Sequence, residues 1–146
     1  MTSALKVYVA GGSVERAERT VPMIRALRQE GIEITWDWTV DMDKYAAAPY
    51  SDDQVSEVVR RRCTEMDING VRQADFLLLL APNQRGSSGA WVELGLAIAW
   101  GVPIIVCGSG NRRSIFTSRA YQLFETDEEG LEFLVQVHRE RYTSSE

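Results

Sequence analysis

The apolar run at residues 76–81 is the feature that most restricts what this chain can fold into. Its sequence, FLLLLA, offers no polar side chain to solvent, so both faces of a strand formed here must be covered by other elements. Such strands occur in the middle of parallel sheets that carry helices on both sides. A second run of this kind, residues 103–107, follows a helical segment and predicts a neighbouring buried strand.

Segments with strand and helix patterns alternate along the chain. Strands are predicted at residues 6–10, 33–38, 76–81, 103–107 and 121–124. Helices are predicted from Ser13, as a side-chain cap, to about residue 30, from 51–53 to a loosened stretch at 69–70, over 90–100, and from 127 to about 139. Pro22 requires the first helix to kink or to begin again near residue 20. The predicted class is α/β, a doubly wound three-layer sandwich around a parallel sheet of about five strands.

Length and charge narrow the function classes. A chain of 146 residues fits a single domain over residues 1–146. Its net charge of −5 and scattered basic residues argue against a nucleic-acid partner. Neither a signal peptide nor a membrane span is predicted, which favours a cytoplasmic protein. Cys63 and Cys107 lie in apolar segments and are predicted to be buried reduced thiols, and no metal site or cofactor is expected.

Glu93 is the only charged residue in the segment GAWVELGLAIAWG at 89–101. A carboxylate on an apolar helix is costly to bury unless something pairs with it or uses it. It could face solvent at the helix start, where the helix dipole favours an acid. Alternatively it lies in a pocket, where the dipole would keep it ionised as a nucleophile for a sugar carbon.

Asp67 is the second candidate acid. It precedes Asp75, at the start of the central strand, by eight residues, which places it toward the carboxyl end of that strand and within reach of Glu93. It could instead cap a helical turn after Met66. Asp75 points to the opposite end of the sheet and is predicted to be structural.

Polar loops at 11–13, 37–50, 82–89 and 108–114 would gather at the carboxyl ends of the strands, where such sheets bind ligands. Small residues in two of these loops could cradle a phosphate or hydroxyl group. They are Gly86, Ser87, Ser88 and Gly89 in one loop and Gly11, Gly12 and Ser13 in the other, which lacks the third glycine of a dinucleotide fingerprint. Trp36, Asp37 and Trp38 could contact a base, although strand-end aromatics also belong to cores. His138 is predicted to be a surface residue.

Three segments together resemble the nucleoside 2-deoxyribosyltransferase family, which includes the 2′-deoxynucleoside 5′-phosphate N-hydrolases. They are YVAGG at 8–12, DINGV at 67–71 followed by AD at 74–75, and SSGAWVELG at 87–95 followed by GVP at 101–103. The resemblance covers most of residues 5–107. It implies a flavodoxin-like, Rossmann-like fold, a homodimer or higher homo-oligomer, and cleavage of the bond between sugar C1′ and a base nitrogen.

The resemblance also assigns roles. Glu93 falls on the family's nucleophile, Asp67 on the acid that handles the base, and Tyr8 on the tyrosine that orients the nucleophile. Ser87 falls on the position that contacts a 5′-phosphate in the hydrolase branch, which favours a small-molecule nucleotide as substrate. The loop after the second strand, WDWTVDMDKYAAAPY, departs from both branches.

Two further readings and one choice of mechanism stay open. A phosphohydrolase of the cytokinin-activating, lysine-decarboxylase-like type also has a Gly-rich loop and a glutamate, but its PGGxGTxxE pattern is absent. A non-catalytic nucleotide-binding or sensing domain would have Glu93 and Asp67 far apart or their pocket filled. For an enzyme, the run AAAP at 46–49 offers few groups to hydrogen-bond an acceptor base, which favours hydrolysis over base transfer.

Overall fold

The computed structural model describes residues 4–45, 56–83 and 88–143. Within these ranges a single sheet of five parallel strands has the order β2-β1-β3-β4-β5. The strands are β1 Lys6–Gly11, β2 Glu33–Ile34, β3 Phe76–Leu80, β4 Ile104–Cys107 and β5 Gln122–Phe124. The helices are α1 Val21–Gln29, α2 Trp38–Tyr45, α3 Glu57–Gln73, α4 Ser88–Trp100 and α5 Asp127–Thr143. This order is that of flavodoxin-like folds, and the predicted α/β class is confirmed.

Side chains alternate across the sheet and build a core on each face. On β1, Val7 and Val9 pack in the core that includes Leu27 of α1 and Leu134 of α5. Tyr8 and Ala10 point the other way, into the core that includes side chains of α3 and α4. Strand β3 lies between β1 and β4 with both faces covered, as its apolar run predicts.

The second strand is much shorter than predicted, and part of the expected loop is a helix. Strand β2 ends at Ile34, and α2 begins at Trp38. Asp37 Oδ1 accepts a hydrogen bond from the backbone N–H of Thr39 at 3.0 Å, so this residue caps a helix instead of extending a strand. The loop predicted from residue 39 is therefore helical to Tyr45, and its remainder at 46–50 lies outside the described residues.

The first helix begins later than predicted. A π-helical turn over Arg16–Thr20 leads into α1, with Pro22 in its first turn, where a missing N–H removes no helical hydrogen bond. The predicted restart near residue 20 is confirmed. The predicted cap is wrong, because Glu15 occupies the cap position and its side chain does not bond to the N–H groups of the helix. Ser13 instead accepts, through its carbonyl oxygen, a hydrogen bond from the Arg16 guanidinium at 2.6 Å.

Helix α3 is continuous where the sequence predicted loosening. Ser56 Oγ caps it by accepting from the N–H of Val59 at 3.4 Å, whereas the predicted start at 51–53 lies outside the described residues. Gly70 is helical and buried. Of the two free cysteines, Cys107 is buried and Cys63 only half-buried. In the described part of the chain no helix is long and apolar enough to cross a membrane.

The prediction of a surface histidine is wrong. Helix α5 extends past His138, which is only 3% exposed and whose Nδ1 accepts from the N–H of Leu5 at 3.4 Å. Burial lowers the pKa of this histidine.

At the same end of the sheet, Asp75 accepts from the N–H of Lys6 and from Arg141, both at 2.9 Å, so its predicted structural role is confirmed.

Candidate active site

Glu93 lies inside the protein on the second turn of α4. It shares the buried face of this helix with Ala90, Leu94 and Ala97, and only 8% of its surface is exposed. That face packs into the core that also contains Tyr8 of β1. The alternative of a solvent-facing glutamate at the helix start is therefore excluded.

Tyr8 is the direct partner of Glu93. It is fully buried, and its hydroxyl donates a hydrogen bond to Glu93 Oε2. Burial, followed by the negative field of Glu93 and Asp67, raises the pKa of Tyr8 well above its usual range. The phenol therefore keeps its proton at any physiological pH and can only donate to the carboxylate.

Glu93 is not held ionised, contrary to what the helix dipole alone would give. Burial raises its pKa to about 8, and Asp67 adds to this rise, while the hydrogen bond from Tyr8 opposes it. Desolvation of the carboxylate outweighs both the helix dipole and the tyrosine. Near neutral pH this side chain can therefore gain or lose a proton.

Asp67 shares this environment. It lies on α3, and burial raises its pKa to about 7, with a further contribution from the charge of Asp41. Asp67 in turn raises the pKa of Glu93, so the two carboxyl groups lie close enough to act on each other's titration. Two carboxyl groups that titrate near neutral pH in one site are typical of acid–base and nucleophilic chemistry.

Two more residues belong to this neighbourhood: Trp36, one of the three residues predicted to contact a base, and Asp41, in the segment predicted to be a loop. The Asp41 side chain is 12% exposed, and its Oδ1 lies 4.0 Å from an Arg62 nitrogen. Among the described residues, Asp41 Oδ2 and Trp36 Nε1 are buried atoms without a hydrogen-bond partner. Trp36 nevertheless lies close enough to Asp67 for a side-chain hydrogen bond that opposes the rise in the pKa of Asp67. Buried polar groups with so few well-aligned partners are candidates for polar contacts with a ligand.

The two residues that follow Trp36, which the sequence also offered as base contacts, make contacts within the fold. Trp38 is 8% exposed in the core, and its indole N–H donates to the carbonyl of Val9 at 2.7 Å. Asp37 caps α2 and lies 3.7 Å from Arg28. Of the three residues predicted to contact a base, Trp36 is therefore the one that lies beside Asp67.

The described residues of the two small-residue segments lie at the end of β1 and at the start of α4. Gly11 and Gly12 are buried at the end of β1, and Ser13 is half-buried. Ser88 and Gly89 are exposed at the start of α4, the helix that carries Glu93. Ser87 lies outside the described residues.

A charged network that the sequence did not reveal surrounds Asn83, the last described residue before the loop that precedes α4. Glu15 accepts from the backbone N–H and the side-chain amide of Asn83 at 2.7 and 3.2 Å. Arg19 donates to Glu15, to both carboxylate oxygens of Asp127 and to the carbonyl of Ala81 at distances of 2.7–3.2 Å. No local pattern marks these residues, because they meet only after β1, β3 and α5 have come together.

The parallel sheet, with a core on each face, defines the doubly wound α/β class. Among the described residues, no group of three or more His, Cys, Asp or Glu side chains could hold a metal ion. The family model for nucleoside 2-deoxyribosyltransferase matches residues 7–133. The chain belongs to this family and is an enzyme of this type, which acts on nucleosides by glycosyl transfer or cleavage.

Solved structures show the same fold. A 2-deoxyribosyltransferase of the psychrotolerant bacterium Bacillus psychrosaccharolyticus superimposes with a TM-score of 0.68 at 17% identity, over 86% of this chain and 90% of that chain. A conserved protein of Enterococcus faecalis V583 gives a TM-score of 0.59 at 17% identity, over 92% and 99% of the two chains. No curated protein sequence matches the chain significantly.

Proposed function

We propose that this enzyme hydrolyses the N-glycosidic bond of a deoxynucleoside 5′-monophosphate, with Glu93 as the nucleophile. The observation that carries the proposal is the buried hydrogen bond from Tyr8 to Glu93, beside a second carboxyl group, Asp67, that titrates near neutral pH. A site of this composition offers a positioned nucleophile and a proton donor.

The reaction has two steps. In the first, an ionised Glu93 oxygen bonds to C1′ while the bond from C1′ to the base nitrogen breaks, and its electron pair goes to the base. Asp67, in its protonated form, supplies the proton that the leaving base needs. Because the pKa of Glu93 is about 8 and that of Asp67 about 7, the reactive form, with the proton on Asp67 and Glu93 ionised, is the less populated arrangement of the pair. In the second step, water attacks C1′, Asp67 takes up the proton of this water, and Glu93 leaves as a carboxylate.

The phosphate preference rests on the turn before α4. Ser87 matches the phosphate-contacting position of the hydrolase branch, and Ser88 and Gly89 begin the helix, where backbone N–H groups favour an anion. We expect monophosphates to exceed the matching nucleosides in kcat/KM, and Ser87→Ala to reduce that ratio about tenfold by removing one hydrogen bond to a charged group. Base release from paired nucleosides and monophosphates, followed by chromatography, measures both quantities.

The matched control is Ser118→Ala, a serine beyond α4 in the 3₁₀ turn at Ile115–Arg119, which should leave the ratio unchanged. Equal turnover of nucleosides and monophosphates by the parent enzyme would contradict the phosphate assignment. It would leave the chemistry at Glu93 untouched.

Hydrolysis rather than base transfer is the second part of the proposal. A transferase must hold an acceptor base against C1′ and exclude water, whereas the run AAAP at 46–49 supplies few hydrogen-bonding groups. We expect free sugar phosphate as the main product even when a different free base is added in excess during base release. Exchanged nucleotide formed at the expense of free sugar would overturn hydrolysis.

We also propose a cytoplasmic homo-oligomer, at least a dimer, that serves nucleotide metabolism. The proposal of a homo-oligomer is supported by a set of exposed apolar side chains on α4 and on the 3₁₀ turn at Ile115–Arg119. Exposed apolar surface of this kind favours association between copies of a protein. The set comprises Val92, Trp100, Ile115 and Phe116.

A further inference from the structure

We propose that Gly70 is a positioning residue whose missing side chain lets α3 rest against the ring of Tyr8 and so keeps the tyrosine hydroxyl on Glu93. The inference rests on the proposed role of Glu93 as nucleophile. It adds a function for a residue that contacts neither substrate nor the reacting atoms. Gly70 lies three residues after Asp67, so one helix would position both carboxyl groups.

The space around Gly70 leaves no room for a side chain. A Cβ at this position would lie 2.7 and 2.8 Å from two ring carbons of Tyr8 and 2.9 Å from Cβ of Trp36. Contacts this short force neighbouring atoms to move. The ring of Tyr8 is fully buried, so it cannot move without displacing the core around it.

The backbone does not explain this glycine. The described glycines with positive φ are Gly31, Gly101 and Gly108, whereas Gly70 lies within the regular turns of α3. Glycine in a helix interior lowers stability relative to alanine. Its presence here is therefore explained by the close approach to Tyr8 rather than by helix geometry.

A hydrogen bond holds α3 in this position. The hydroxyl of Thr35, which follows β2, donates to the carbonyl oxygen of Gly70 at 2.7 Å. The N–H of the same threonine donates to the carbonyl of Val7 at 3.0 Å. Strand β1, the end of β2 and helix α3 are thus joined directly around the ring of Tyr8.

Moving this ring changes the ionisation of Glu93. The titratable groups that act on Glu93 are Tyr8 from β1 and Asp67 from α3, with Asp41 from α2 beyond Asp67. Of these, the tyrosine lowers the pKa of Glu93 and Asp67 raises it. Loss of the tyrosine hydrogen bond therefore moves the titration of Glu93 to higher pH and reduces its ionised fraction near neutral pH.

The test follows the Glu93 carboxyl directly by carboxyl-¹³C NMR, with its signal assigned by its loss in Glu93→Gln. We expect Gly70→Ala to move the titration midpoint upward by about one pH unit, equivalent to about a tenfold smaller ionised fraction at pH 7. Tyr8→Phe should give a similar shift, and the double variant should add nothing further. Where base release is measured, kcat should fall and KM should change less.

Asn69→Ala is the matched control, because it places alanine at an exposed position of the same helix. Its midpoint should equal that of the parent. If Gly70→Ala does not fold, Thr35→Val takes its place, because it removes the hydrogen bond from the Thr35 hydroxyl to the Gly70 carbonyl without adding atoms. It should shift the titration midpoint of Glu93 in the same direction by less. An unchanged midpoint in folded Gly70→Ala, or in Thr35→Val if the former fails to fold, would overturn the inference. Because this readout needs no turnover, it is separate from failure of the proposed hydrolysis.

Discussion

Glu93→Gln is expected to lower base release by at least about a thousandfold, the scale typical of losing a covalent nucleophile. The amide keeps the shape of the carboxyl group, and its oxygen can still accept the hydrogen bond that Tyr8 donates to Glu93. It has no negative charge with which to attack C1′. Chromatographic assay of released base under single-turnover conditions measures the loss at the chemical step.

Glu132→Gln is the matched control for this variant. It removes a carboxylate from an exposed position on α5 and should retain the full rate. Circular dichroism should show that both variants are folded. Base release by Glu93→Gln within about tenfold of the parent would contradict the nucleophile assignment.

The same substitution should stabilise the protein, and more so at alkaline pH. Because the folded-state pKa of Glu93, about 8, lies above its unfolded value, the folded state binds the proton more tightly. The contribution of Glu93 to folding stability is therefore fully present below pH about 4.5 and is lost as pH rises from there through about 8. Glutamine does not titrate, so Glu93→Gln escapes this loss.

We expect the gain in free energy of unfolding from Glu93→Gln to be roughly 2–4 kcal/mol larger at pH 9 than at pH 5. Urea unfolding of parent and variant at both pH values measures it, with Glu132→Gln as the control that shows no such difference. An equal gain at the two pH values would mean that Glu93 titrates like an exposed glutamate. The desolvated site described above would then be wrong.

The sequence predicted the middle of the fold better than its edges. The central strand is recognisable because FLLLLA at 76–81 can satisfy only a strand covered on both faces. The end of β2 was missed because alternating Trp36, Asp37 and Trp38 imitate a strand. What decides that stretch is a local cap, the bond from the Thr39 N–H to Asp37, together with a tertiary bond from the Trp38 indole to Val9.

The candidate site was predictable only in part, because packing between separate elements brings some of its residues together. Glu93 stood out as the one charge on an apolar helix, and its burial agrees with that reasoning. Tyr8 was found through the family resemblance, because one tyrosine in a buried strand carries no local signal. Asp41 was hidden in a segment predicted to be a loop, and Gly70 was taken for a helix irregularity. The role of each depends on packing between α2, α3 and β1, which no local pattern encodes.

The two carboxyl groups also separate the readings that the sequence left open. A binding or sensing domain has no need to keep two desolvated acids in one pocket, because they lower stability at neutral and alkaline pH. The charge of Asp67 raises the pKa of Glu93, and coupling of this kind lets an enzyme keep one carboxyl group protonated and the other available as a base or nucleophile.

The central claim is a covalent bond between Glu93 and the sugar. Its most direct test is mass spectrometry of the enzyme quenched in acid during turnover of a 2′-fluoro monophosphate analogue, whose fluorine slows hydrolysis of the intermediate. The account predicts an added mass equal to the fluorinated sugar phosphate, located on the peptide containing Glu93 and absent in Glu93→Gln. A sugar adduct on another residue, or base release by the analogue in a full single turnover with no adduct, would contradict it.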